Sequence, residues 1–200
     1  WEQRMHQRLA DTVDLSAQDR RSLTSMGYAA PGEVRPETDR PLRDVKDMLP
    51  YYNLLDDAVS MFEVGLHDDA VPIFHKILEA DDGCFKAHGY LGMCLMRQKK
   101  YQEAITHLRR NVELDPSADR VRAMLGAALL ENGDHQEAAE ELEATVRLNP
   151  ELYQAHYNLG LVYEKLGQTE TAIEHYRLCL DIVPHLGPAR DRLDALESGR

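Results

Sequence analysis

The chain has 200 residues, 43% apolar and 29% charged, with 12 Gly and 9 Pro, a composition that sets aside collagen and disorder and suits one or two globular domains. Its net charge of -12 argues against nucleic acid and anionic membranes as partners, because a polyanion is repelled. No stretch approaches the roughly 20 consecutive apolar residues of a membrane-spanning helix, and Cys84, Cys94 and Cys179, without a C-x-x-C, build neither a disulfide framework nor a Cys-based zinc site.

In chain order, Trp1-Glu2-Gln3-Arg4 lacks both an initiator Met and an apolar signal core, and reads as the cut end of a longer chain. Ser16-Ala17-Gln18-Asp19 has the pattern of a helix N-terminus and predicts a short helix through Leu23 and Met26 that stops at Gly27. Pro31, Pro36, Pro41 and Pro50 then predict an extended linker, so that residues 1–50 form a helical segment and a Pro-rich connection.

From residue 51 a period of 34 takes over: Ala70, Ala104, Ala138 and Ala172 follow it, as do Gly92, Gly126 and Gly160, and Pro116, Pro150 and Pro184. The units are 51–84, 85–118, 119–152 and 153–186. Within the last, Ala155, Leu159, Val162 and Tyr163 recur at helical spacing, Gly167 breaks the run, and Ala172, Ile173, Tyr176, Cys179 and Leu180 begin another. Each unit is thus a helical hairpin. Gly160 and Ala172 are small where its two helices approach, and Pro184 stops the second one. A hairpin of this kind cannot bury its own apolar face and must stack on neighbours. In residues 187–200, Ala189, Leu193 and Leu196 share one face against Arg190, Asp191 and Asp194, the pattern of a capping helix.

Leu159-Gly160, Tyr163, Gly167, Ala172, Tyr176 and Pro184, with Leu91-Gly92, Leu95, Tyr101, Ala104, Leu108 and Pro116 in the second unit, resemble the tetratricopeptide repeat family. The first unit departs from the pattern, with Asp57-Ala58 for Leu-Gly and Asp82 for Pro. The resemblance implies an all-α, right-handed solenoid of four hairpins plus a C-terminal capping helix, acting as a non-catalytic protein-protein interaction or docking module.

It also implies that the first helix of each hairpin lines a concave groove. Carried over, this places Tyr52, Leu55, Val59 and Phe62, then Lys86, Tyr90, Met93, Met96 and Arg97, in the partner-binding groove. Arg120, Met124, Ala127 and Leu130, then Gln154, Tyr157, Asn158, Leu161 and Lys165, continue it. The Met and Tyr residues supply adaptable contact area; the alternative is that much of this lining is buried between curved helices or covered by residues 1–50. Chaperone-binding members clamp a carboxylate with Lys and Asn, but the matching positions here hold Leu55, Val59 and Tyr90, or, one unit later, Gly89, Met93 and Met124, so the clamp is not built.

A second resemblance covers residues 15–28, Leu-Ser-Ala-Gln-Asp-Arg-Arg-Ser-Leu-Thr-Ser-Met-Gly-Tyr, followed by the Pro-rich stretch and Asp44 to Asn53. This is similar to the end of the catalytic domain in bacterial sulfatase-like hydrolases that carry C-terminal tetratricopeptide repeats, with Met26 where those have Leu. It implies an upstream α/β enzyme domain, itself a candidate partner, and an extracytoplasmic location; the alternative is a free-standing adaptor or scaffold, which would be cytoplasmic. The nucleophile of such enzymes is a Cys or Ser two residues before a Pro, and none of the 9 prolines has one, so this stretch is expected to be non-enzymatic.

Nine histidines invite a metal reading, yet His67 and His135, His88 and His156, and His107 and His175 simply follow the repeat at twice its period. They predict packing positions, and no metal or cofactor is expected. Cys94 and Cys179 fall in apolar stripes, while Cys84, at a repeat junction, is the one cysteine whose place leaves exposure open. The units carry charges of -7, +3, -5 and -2, so the basic stretch Arg97, Lys99, Lys100, Arg109 and Arg110 either faces acidic neighbours or meets an acidic partner.

Overall fold

The computed structural model describes residues 45–199, with side chains from residue 51 onward apart from Tyr52. Nine helices and no strand lie among the described residues: α1 (Val45–Glu63), α2 (His67–Ala80), α3 (Phe85–Arg97), α4 (Tyr101–Leu114), α5 (Asp119–Asn132), α6 (His135–Leu148), α7 (Tyr153–Lys165), α8 (Thr169–Ile182) and α9 (Gly187–Ser198). The helix expected at 16–26, Pro31 to Pro41 and the hydrolase-like residues 15–28 lie outside the described residues. Pro50, read from sequence as linker, falls inside α1, six residues into a helix that starts at Val45. From Leu54 onward the chain packs as one compact unit.

Backbone chemistry repeats with the sequence. Inside each hairpin the chain turns through one left-handed residue, Gly65, Lys99, Gly133 or Gly167, with φ of 88°, 60°, 93° and 73°. The next residue donates back across the turn, as in Leu66 N–H to the Met61 carbonyl at 2.8 Å and Gln168 N–H to the Tyr163 carbonyl at 2.8 Å, the pattern that satisfies orphan carbonyls at a helix C-terminus. Lys99 alone pays a side-chain steric penalty there. Lys99→Gly is therefore expected to raise stability by about 0.5–1 kcal/mol, the part of an L-residue's left-handed cost of about 1–2 kcal/mol that survives glycine's extra unfolded-state entropy. A shift of the urea midpoint at unchanged slope checks it.

Between hairpins, α4, α6 and α8 end two residues before Pro116, Pro150 and Pro184. The first hairpin stops without a proline because Asp81 Oδ1 accepts the Gly83 N–H at 3.1 Å, as Asp115 Oδ1 accepts Ser117 N–H at 3.1 Å and Asn149 Oδ1 accepts Glu151 N–H at 3.2 Å. These side-chain turns share the 34-residue register, so Asp82 in place of Pro does not change the architecture.

The core follows from the small residues. Ala104, Ala138 and Ala172 are fully buried, and Gly92, Gly126 and Gly160 let the first helix sit directly on Leu108, Leu142 and Tyr176 of the second. Each helix from α2 onward packs on the next, and α9 closes the array by burying Ala189 and Leu193 against α8. Cys94 and Cys179 are fully buried, their thiols pushed up to about 11 by desolvation. Cys84, for which the sequence left exposure open, is also buried at 7% exposure as part of the core immediately before α3, and burial raises its thiol.

Candidate protein-binding face

The first helices of successive hairpins lie side by side: α3 touches α5, and α5 touches α7. Their shared face carries the residues singled out from sequence, and burial divides them. Lys86, Arg97, Arg120, Gln154 and Lys165 are exposed, while Val59, Phe62, Tyr90, Met93, Met96, Met124, Ala127, Tyr157, Asn158 and Leu161 are half-buried. The side chain of Tyr52 lies outside the described residues. Leu55 and Leu130, expected in the groove, are core residues at 5% and 9% exposure. In α5 apolar residues surround most of the helix, so spacing alone does not tell the open side from the packed one; Leu130 belongs to the core. Leu55 is drawn into the core with Ala58, Ala70 and Phe74.

The aromatic residues at one end are partly committed to structure. Tyr90 stacks on Phe74 at 5.9 Å and meets the Phe62 edge at 5.2 Å, while Phe62 also contacts His67 at 4.8 Å. This cluster holds the first two hairpins together, each aromatic pair being worth about 0.5–1.5 kcal/mol beyond area burial. At the far end Tyr157 lies 6.0 Å from Tyr176, whose buried hydroxyl donates to Glu164. Desolvation and that carboxylate hold the Tyr176 phenol well above its ordinary range.

Among the described residues six arginines are paired with carboxylates, and cations without such a pair lie both on the face and off it, as at Lys76, Lys99, Lys100 and Arg190. Arg109 and Glu137, Arg110 and Glu113, Arg122 and Glu141, Arg147 and Glu143, Arg177 and Glu197, and Arg192 and Glu164 form ion pairs. Lys86, Arg97, Arg120 and Lys165 form none among the described residues. The basic stretch read from sequence therefore splits: Arg109 and Arg110 are matched by carboxylates of this chain, whereas Arg97 is not. The face thus combines half-buried methionine and aromatic area with four unmatched cations, on a chain that is strongly acidic overall. It offers contact and charge, and no nucleophile with an adjacent base.

Residues 85–118 and 123–186 match tetratricopeptide-repeat family models. These segments are tetratricopeptide repeats. Among solved structures, two crystal structures of MamA share 28% identity with this chain, with TM-scores of 0.67 and 0.69; the matches cover 71% and 74% of this chain and 83% and 81% of theirs. The tetratricopeptide domain of Arabidopsis OM64, at 17% identity and a TM-score of 0.57 over 58% of this chain and 96% of its own, shares the fold. No curated protein sequence matches the chain. The fold is the all-α tetratricopeptide solenoid, a protein-interaction architecture whose members bind proteins or peptides. No helix among the described residues is long and apolar enough to cross a membrane.

What sequence reading missed is a pairing across each hairpin. Equivalent histidines such as His88 and His156 do sit in separate hairpins, but His88 meets His107 and His156 meets His175, each nineteen residues further along. The signal was present as a second residue keeping the same 34-residue register.

Proposed function

We propose that this chain binds a protein or peptide along the face formed by α3, α5 and α7, and that its partner presents apolar side chains flanked by carboxylates. The observation that carries this reading is the half-buried strip of Met93, Met96, Met124, Tyr157 and Leu161 on neighbouring first helices, with Lys86, Arg97, Arg120 and Lys165 exposed along the same helices and without ion pairs among the described residues. Apolar contact area supplies affinity and the cations supply orientation and encounter rate. A photo-crosslinking amino acid at Met93, in cells that make the protein, should capture a partner, and one at Leu148, exposed on the second helix of its hairpin, should not. Capture should weaken at high salt, because exposed charges are screened within about 3 Å at 1 M. Crosslinks from position 148 alone would place the working surface on the other side.

The finer part of the reading is an attachment. The resemblance of residues 15–28 to the end of a sulfatase-like catalytic domain supports a docking role beside such an enzyme, either against its surface or recruiting a second protein. The coding sequence upstream tests this: it should encode a Cys or Ser two residues before a Pro and four before an Arg. A chain whose gene encodes no such residue is a free-standing adaptor, and the binding-face reading stands in either case.

A further inference from the structure

In the second, third and fourth units the fourth and twenty-third residues meet across the hairpin, and the chemistry of these two places alternates along the array. In the first hairpin they are Leu54 and Ile73, both half-buried against the core. The third has Arg122 and Glu141 as an ion pair at 2.8 Å. In the second and fourth they are histidines: His88 Nδ1 lies 3.0 Å from His107 Nδ1, and His156 Nδ1 lies 3.2 Å from His175 Nδ1.

The hydrogen bonds fix where the protons sit. His88 Nε2 is 3.1 Å from the Asp82 carbonyl and His156 Nε2 is 3.0 Å from the Pro150 carbonyl. A carbonyl only accepts, so both Nε2 atoms carry hydrogen and the neutral rings present a bare Nδ1 to their partners. His107 and His175 must then donate Nδ1–H. The ring centres are 5.2 Å and 5.5 Å apart, longer than the nitrogen separations by about the two ring radii, so the nitrogens lie close to the line between centres. That is the geometry of a proton held head to head, rather than of two lone pairs converging on an ion beside the line. A proton added to His88 or His156 once its partner is charged would set N–H against N–H at the same short distance.

We propose that the two histidine pairs are acid-release clasps: acidification charges them and loosens the second and fourth hairpins, while the first and third keep their closure. The charged groups around each pair set its response. Around the first, Asp81 and Asp82 before α3 favour a charged His88 and Arg110 on α4 opposes it; His75 on α2 opposes a charged His107 and Glu103 on α4 favours it. Around the second, Glu174 on α8 and Glu143 on α6 favour a charged His175, His156 opposes it, and the Tyr163 ring stacks on it at 5.5 Å. Desolvation is the largest influence on His88, His107 and His175 and lowers all three, His107 to about 4.

The sign follows from linkage. With folded-state values below the ordinary one of about 6.5, the opened hairpin binds protons first as pH falls. The closure is complete above about 6.5 and is lost progressively as pH drops toward the folded-state values; guanidinium groups titrate far above that window and carboxylates only at its lower edge, at about 4, so a comparison that stops at pH 5.0 reads the histidines. Because each repeat contacts only its neighbours, the loss stays local. The proposal rests on hairpin geometry and is independent of the binding-face reading.

Hydrogen-deuterium exchange on the full 200-residue chain at pH 7.5 and 5.0, corrected for intrinsic rates, tests it. Protection of α3 with α4 and of α7 with α8 should fall by about tenfold or more relative to α5 with α6, the equivalent of at least one unit of pKa displacement. His88→Leu with His107→Ile, and His156→Leu with His175→Ile, which copy the first hairpin, should abolish the acid response of their own hairpin only. Uniform loss across all hairpins, or an acid response that survives these substitutions, would overturn the proposal. Should a variant not fold, nitrogen-15 spectra of the unaltered protein decide: hydrogen on Nδ1 of His107 and His175 with midpoints below about 6.5 supports the clasp, and Nε2 tautomers on all four rings titrating near 6.5 refute it.

Discussion

Gly160→Leu is expected to lower the melting temperature by roughly 6–12 °C, the largest stability effect of any single change considered. A Cβ at residue 160 would lie 2.4 Å from Tyr176 Cε1, inside the ring's own volume. Tyr176 is fully buried and tethered through its hydroxyl to Glu164, so the ring has no space to retreat into and no freedom to swing. Overpacking of this kind costs up to about 3 kcal/mol, and in a chain of this length each kcal/mol moves the midpoint by about 2–4 °C. The damage spreads because α7 and α8 also form the interfaces with α6 and α9. Gly126→Leu should cost less, since it meets the untethered side chain of Leu142. Gly187→Ala is the control, with nothing within 4 Å of the added Cβ and an expected effect within about 0.5 kcal/mol. Thermal unfolding by circular dichroism reads all three, and equal midpoints for Gly160→Leu and the unaltered protein would mean that the helix contact is not close.

The hairpins were legible from sequence because a helix boundary is a local matter. Gly167 readily takes the left-handed conformation that ends a helix, Pro184 has no N–H to continue one, and Ala172 with Gly160 marks a contact that tolerates nothing larger. The start of α1 was not legible for the converse reason: Pro50 reads as a linker residue, yet the helix runs through it from Val45 to Glu63. On the candidate face, the family resemblance placed the first helices as neighbours, but neither it nor periodicity could decide burial at Leu55 and Leu130, because that depends on how closely the next hairpin approaches. Burial at Cys84 was left open for the same cause. The histidine pairs lay in plain view as repeated residues, but nineteen residues of separation corresponds to no helix or strand period. Only the hairpin's closed geometry shows that the fourth and twenty-third residues of a unit meet.

The second large effect is on binding. Met93→Glu with Met124→Glu should abolish association with whatever partner the face holds while leaving the helices intact. Both side chains are half-buried, so an acidic chain of about the same length can carry its carboxylate to water. A carboxylate at 93 would also lie one turn from Arg97, and one at 124 one turn from Arg120, each an (i, i+4) pair worth about 0.2–0.5 kcal/mol to its helix. A partner covering the strip would instead have to desolvate two charges, at about 2 kcal/mol or more apiece, which predicts at least a hundredfold loss of affinity.

The decisive measurement is the affinity of a partner captured from position 93 for the unaltered chain and for the Met93→Glu, Met124→Glu double variant, taken beside far-ultraviolet circular dichroism of both. The binding-face account predicts matching helical spectra with a loss of about a hundredfold or more in affinity. A folded double variant that binds the same partner with unchanged affinity would contradict it and move the working surface away from α3, α5 and α7.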